Sequence, residues 1–196
     1  MKNRVAVLTA LLSLCFIGGC GAGGGGAFNS SVKANANIAF MGDSITFRWS
    51  LPTTNFGVSG NTTTQMRSRY AGDVLGHGYK AVVILGGTND LLRPTGQLGP
   101  VITLAVNNLQ AMAAAADADH IHVVLCQIPP IVDLDGEVVQ LNQAIAVLAK
   151  EHSYPLVDYY TPMAGHPEYF ADGIHPNGEG YAVMQEALIK VLPLDY

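Results

Sequence analysis

Three side chains in this sequence have the types and spacing for nucleophilic acyl transfer. Ser44 lies in the run Ile38-Ala39-Phe40-Met41-Gly42-Asp43-Ser44-Ile45-Thr46, and Asp172 and His175 lie in Ala171-Asp172-Gly173-Ile174-His175-Pro176. A serine hydroxyl is a weak nucleophile until a base takes its proton, and imidazole is the side chain that titrates in the useful range. A carboxylate three residues before a histidine in a turn can accept from Nδ1–H and leave Nε2 free as that base. The developing oxyanion then needs donors, and two further loops offer them. In Asn55-Phe56-Gly57-Val58-Ser59-Gly60-Asn61-Thr62, two glycines three apart let the backbone turn sharply and free the N–H of Gly60. In Gly86-Gly87-Thr88-Asn89-Asp90, Asn89 supplies an uncharged side-chain donor.

These residues are useful only if strands and turns bring them to one edge, and the apolar pattern supplies such elements. The run ending at Gly42 reads as a strand with Ser44 at its carboxyl end, where the Ser44 N–H also faces an oxyanion. A short extended piece surrounds Asn55 to Val58, and Thr62 to Leu75 reads as a helix capped by Thr62 or Thr63. Lys80 to Leu85 has the continuous apolar character of a strand buried on both faces. Leu98 to Ala118 is an alanine-rich helix, His120 to Gln127 a strand stopped by Pro129-Pro130, Glu137 to His152 a helix and Pro155 to Tyr159 a short strand. The last helix, Asn177 to Leu192, follows Pro176 and ends at Pro193. Alternating strands and helices imply an α/β protein with a parallel central sheet covered on both sides, whose sites collect at the carboxyl edge.

The four loops, in this order and spacing, resemble the SGNH hydrolases, also called GDSL esterases and lipases. The resemblance covers essentially all of the chain after its first 34 residues. The family's named Ser, Gly, Asn and His fall on Ser44, Gly60, Asn89 and His175, with Asp172 completing a triad. The segment Asn55 to Arg67, the Gly-Thr-Asn-Asp and the Gly-Ile-His-Pro-Asn-Gly-Glu-Gly-Tyr are most similar to the small acetylhydrolase and lysophospholipase-like branch. Ile45 stands where the family name has leucine. The resemblance implies a three-layer α/β/α sandwich of flavodoxin-like type. It also implies a serine esterase without metal or other cofactor, with Ser44, Asp172 and His175 catalytic and the oxyanion held by Ser44, Gly60 and Asn89.

Other residues admit less specific readings. Asp43 reads as a turn carboxylate accepting backbone N–H groups, with substrate contact as the alternative, and Asp90 reads as a loop or helix cap. Trp49, Phe56, Tyr169 and Phe170 flank the loops and are candidates, with Asp43, for lining a substrate pocket, with ordinary packing as the equal alternative for the four aromatic residues. His120 and His122, two apart, share a strand face that could bind metal, but at the strand's start, away from the site edge. Cys126 in an apolar run reads as a small buried hydrophobe.

The amino terminus reads as targeting. Lys2 and Arg4 precede an apolar run, Val5 to Ile17, and Ile17-Gly18-Gly19-Cys20 resembles a lipoprotein cleavage site. The expected organisation is a signal peptide over 1–19, a flexible Gly/Ser/Asn tether over 20–34 anchored through a lipid on Cys20, and a hydrolase domain over 35–196. The expected location is a bacterial envelope, exported and held at a membrane, with an ordinary secretory signal and an incidental cysteine as the alternative. The full chain carries a net charge of −5, or −7 once Lys2 and Arg4 are set aside, which argues against a nucleic-acid partner. The substrate expected is a small ester with a short acyl chain, because no insertion is long enough to form a lid; acetylated carbohydrate, lysophospholipid and thioester all remain open. Two other classes fit less well. A metallophosphoesterase would want histidines where Ser44 and Thr88 stand, and an inactive binding lipoprotein has no reason to keep every reacting group. The α/β-hydrolase elbow is missing, since Thr46 occupies its second glycine position.

Overall fold

A computed structural model describes residues 33–196, so the expected signal peptide, most of the tether and Cys20 lie outside the described residues. Five parallel strands form one sheet in the order β2-β1-β3-β4-β5, comprising β1 (Ile38–Gly42), β2 (Thr54–Gly57), β3 (Ala81–Leu85), β4 (His122–Cys126) and β5 (Leu156–Val157). This is the flavodoxin-like strand order. β1 and β3 are buried along their whole length, as their unbroken apolar sequences require when helices cover both faces.

The helices are α1 (Ser44–Arg48), α2 (Thr63–Val74), α3 (Thr88–Leu92), α4 (Leu98–Ala118), α5 (Asp135–His152) and α6 (Gly178–Ile189). Helices α2, α4 and α5 pack side by side in one layer. Across the sheet, α1 and α6 are joined by the Tyr181 hydroxyl, which donates to Ile45 O at 2.8 Å. Trp49, just after α1, stacks on Tyr181 and meets the edges of Phe40 and Tyr159, with ring centroids 5.8 to 6.1 Å away.

Helix starts follow local chemistry. Thr62 and Gln65 form a reciprocal capping box at the start of α2. Asn177 caps α6 by accepting from the N–H groups of Glu179 and Gly180. One boundary differs from the sequence reading. His120 belongs to the end of α4, in the left-handed region at φ 58°, with Ile121 N–H donating to Ala116 O and His120 N–H to Asp117 O. That is a Schellman ending with histidine where glycine is usual, so β4 begins two residues later than the apolar run suggested.

At the amino edge of the sheet, the first and last described segments meet. Ala34 N–H donates to Leu51 O and Asn35 N–H to Leu194 O, at 2.9 and 2.7 Å.

Candidate active site

Everything with acyl-transfer character gathers at the opposite, carboxyl edge. β1 ends at Gly42 because nothing larger fits: a Cβ there would lie 2.0 Å from the Thr46 hydroxyl and 2.9 Å from Leu85 O. The chain then turns directly into α1, with Asp43 as N-cap accepting from Ile45 N–H at 2.9 Å. Ser44 is the first helical residue, so its N–H has no intrahelical acceptor, and among the described residues it donates to nothing.

From 131 residues further along, His175 reaches back to this serine, its Nε2 2.9 Å from Ser44 Oγ. His175 Nδ1 lies 2.7 Å from Asp172 Oδ2, while the other Asp172 oxygen accepts the N–H groups of Ile174 and His175 at 3.2 and 2.8 Å. The His175 N–H is the main cause that holds the Asp172 carboxyl down at about 2. An ionised acceptor beside Nδ1 fixes the proton there and turns the Nε2 lone pair toward Ser44. The loop itself is tightly closed. Phe170 and Pro176 bridge, Ala171 N–H donates to His175 O at 2.8 Å, and Val132 N–H donates to Gly173 O at 3.0 Å.

The two groups expected to be oxyanion donors stand on two other loops at the same edge. Gly60 follows β2 at φ +79°, and its N–H donates to nothing among the described residues. Asn89, on the first turn of α3, directs Nδ2 to Asn61 O at 3.1 Å and, more loosely, to Asp43 Oδ2 at 3.4 Å. Ser44, Gly60, Asn89 and His175 therefore converge from four loops, although only 7% of Ser44 is exposed.

Arginines hold the donor side. Arg69, on α2, donates to Gly42 O at 2.9 Å, to Phe56 O at 2.7 Å and to Asn61 Oδ1 at 2.8 Å, and it pairs with Asp73. It therefore ties the ends of β1 and β2 to the Gly60 loop. The sequence reading missed Arg69; its one signal was a place beside the buried helical stripe Met66, Tyr70 and Val74. Arg93, also missed, donates to Gly60 O and to Asn89 Oδ1. Asp90 is a cap as read, accepting the N–H and hydroxyl of Thr63 at 2.9 and 2.7 Å.

The profile of the GDSL-like lipase/acylhydrolase family matches residues 22–183. The chain belongs to that family. As a GDSL-like acylhydrolase it is a carboxylic ester hydrolase. Its fold recurs in solved family members: a GDSL-like lipase from Bacteroides thetaiotaomicron is 31% identical, with a TM-score of 0.70 over 78% of this chain and 85% of that one. A member of the lipolytic G-D-S-L family from Veillonella parvula is 23% identical, with a TM-score of 0.67 over 79% and 97%. An acetylxylan esterase from Geobacillus stearothermophilus, at 18% identity, shares the fold with a TM-score of 0.69 over 84% and 98%. A comparison with curated proteins finds no match.

Within this GDSL-like domain several pocket candidates fall elsewhere. Asp43 is wholly buried beneath the site, and burial lifts its carboxyl from 3.8 to about 6 against the pull of Ile45 N–H, the Thr88 hydroxyl and His175. Trp49 is core rather than pocket, because the turn after α1 drives its ring between the sheet and α6. Phe56 packs edge-on against Tyr79, and Tyr169 stacks on His166 at 4.9 Å. Phe170 lines an apolar cavity of about 240 Å³ shared with Ile131, Val132 and Met163 beside the His175 loop. His120 and His122 do not share a strand face, since only His122 is in β4, where it stacks on Tyr196 at the amino edge. Cys126 is buried and free, with burial pushing its thiol to about 12, which suits a small core residue.

Proposed function

We propose that this GDSL-like hydrolase cleaves short-chain carboxylic esters through an acyl-serine intermediate. The observation that carries the reading is the unbroken relay from Asp172 Oδ2 through the His175 ring to Ser44 Oγ, at 2.7 and 2.9 Å. As Ser44 Oγ attacks the ester carbonyl, His175 Nε2 takes the hydroxyl proton, and Asp172 fixes the ring and offsets its charge. The tetrahedral oxyanion is received by the N–H groups of Ser44 and Gly60 and by Asn89 Nδ2. Collapse breaks the bond to the alcohol oxygen, which leaves with the proton from His175. Water then adds to the acyl-serine by the same proton path, releasing the acid and restoring Ser44.

A short acyl group suits a small domain with no insertion long enough to form a lid over a long apolar trough. The natural substrates we favour are acetylated carbohydrates, of the kind named for the Geobacillus protein with the same fold. We further propose export and lipid anchoring through Cys20, on the strength of the amino-terminal signal pattern, with no nucleic-acid partner for so acidic a chain. The test combines a fluorophosphonate label with a chain-length series of p-nitrophenyl esters, acetylated xylan and a lysophospholipid. Labelling should vanish in Ser44→Ala, and turnover should fall from acetyl toward longer esters. Preference for long chains or the lysophospholipid overturns the short-chain reading, and labelling that survives Ser44→Ala overturns the mechanism.

A further inference from the structure

Arg93 touches both of the donor loops at once. Its Nη2 donates to Gly60 O and, at 3.1 Å, to Asn89 Oδ1, so one nitrogen bridges the residues on either side of the oxyanion position. It stands at the carboxyl end of α3, one turn after Asn89, where the helix ends at φ −133°, ψ 61° and the side chain turns back over the site edge. Two further observations separate it from the other arginines nearby. Arg69 is neutralised by Asp73, and Arg48 lies 3.8 Å from Asp172, whereas no carboxylate comes within ion-pair reach of Arg93 among the described residues. Its hydrogen bonds go to neutral acceptors, while its charge also reaches the Asp90 carboxylate at longer range. And the guanidinium lies on the open face of Gly60: the nearest atom to a Cβ at that position would be Arg93 Nη2, at 3.5 Å, with only its other terminal nitrogen also within 4 Å.

We propose that Arg93 is a positioning residue for the oxyanion donors, an inference that rests on the acyl-serine reading above. An asparagine amide has two faces, and it can stabilise an oxyanion only when Nδ2 points at it. Here Oδ1 meets a cation, and Nδ2 meets the Asn61 carbonyl and the Asp43 carboxylate, so all three neighbours select the same orientation. A cation on Oδ1 also draws electron density through the amide and makes the Nδ2 hydrogens stronger donors. The bond to Gly60 O, with the Asn61 N–H that donates to Val58 O at 3.1 Å, fixes the peptide after Gly60 and so limits rotation about a residue at φ +79° whose own N–H lies in the preceding peptide. The positive charge beside both loops additionally favours the negative oxygen that forms between them.

The test is the Arg93→Ala variant of the protein, with Arg93→Lys and Arg93→Leu beside it. With p-nitrophenyl acetate, kcat should fall by roughly ten- to a hundredfold in Arg93→Ala, somewhat short of the loss of a whole donor, while KM stays within a few-fold. The fluorophosphonate labelling rate should fall in parallel, because it passes through the same oxyanion geometry. The thermal midpoint should hold, since the side chain is exposed. Added guanidinium, far below denaturing concentration, should restore part of the rate in Arg93→Ala, and Arg93→Lys should recover more than Arg93→Leu. An Arg93→Ala enzyme within twofold of wild type overturns the inference, as does a loss that guanidinium leaves unchanged and that follows a lowered thermal midpoint. Ser44→Ala run in parallel separates the two failures: if it too remains active, the acyl-serine reading falls, whereas if it alone is dead, only the role of Arg93 does.

Discussion

The two halves of the reacting edge are built on opposite plans. On the base side, Asp172 and His175 belong to one turn, three residues apart, with Asp172 half exposed and the loop closed by its own backbone bonds. On the donor side, Ser44, Gly60 and Asn89 come from three loops and are registered by side chains arriving from elsewhere, Arg69 and Arg93 above all. Local geometry thus suffices to orient a base. Registering the three proposed donors takes long-range ties across the ends of β1, β2 and β3.

The sharpest way to break the base side is Asp172→Asn, which keeps the shape but can present Nδ2 rather than oxygen to the ring. The amide would favour the wrong imidazole tautomer, and kcat should fall on the order of 10³- to 10⁴-fold with little change in KM, measured on p-nitrophenyl acetate. On the donor side, Asn89→Ala should cost about 10²- to 10³-fold in kcat, because two donors remain. Equal losses in the two variants would remove the contrast between the halves.

The site's two carboxylates should also respond to pH with opposite signs. Asp172 has its folded pKa held to about 2, so its contribution to stability is present above its usual carboxylate range and is lost as pH falls toward 2. Asp43 is raised to about 6, so its contribution is complete below the usual 3.8 and is lost as pH rises through 6. Asp43→Asn removes that titration. Relative to wild type, the variant should therefore gain about 3 kcal/mol of stability between roughly pH 4 and pH 8, read by denaturant unfolding at each pH. A flat difference would mean that Asp43 stays ionised throughout. The smallest effect expected is that of Arg48→Ala. The 3.8 Å pair it forms with Asp172 is half exposed on both sides, so activity should stay within about twofold and stability within about 1 kcal/mol.

The same contrast explains what the sequence could disclose. Asp172 and His175 were legible because three-residue spacing is itself the geometry, and Ser44 because a buried strand ending at glycine leaves few places for the next side chain. Helices α2, α4 and α6 were legible through Thr62, alanine content and the flanking Pro176 and Pro193. What escaped notice depends on tertiary approach. Trp49 stayed open between pocket and packing because nothing local says that the chain turns inward after α1, and Asp43, a turn carboxylate as read, kept substrate contact as an alternative because burial is invisible at a turn. His120 looked like strand because apolar neighbours hide a left-handed helix ending. Arg69 and Arg93 carry no motif, since an arginine that staples backbone carbonyls is recognised only once those carbonyls are in view.

Asn35 and Leu194 are bonded to each other at the rim of the sheet farthest from Ser44. Whatever is attached before the one or after the other, whether a lipid, a bead or a partner domain, departs from the back of the enzyme. Immobilised by either end, the molecule would turn its mouth outward, and a short linker joining the two ends would leave the catalytic face untouched while a new opening was cut in a remote surface loop.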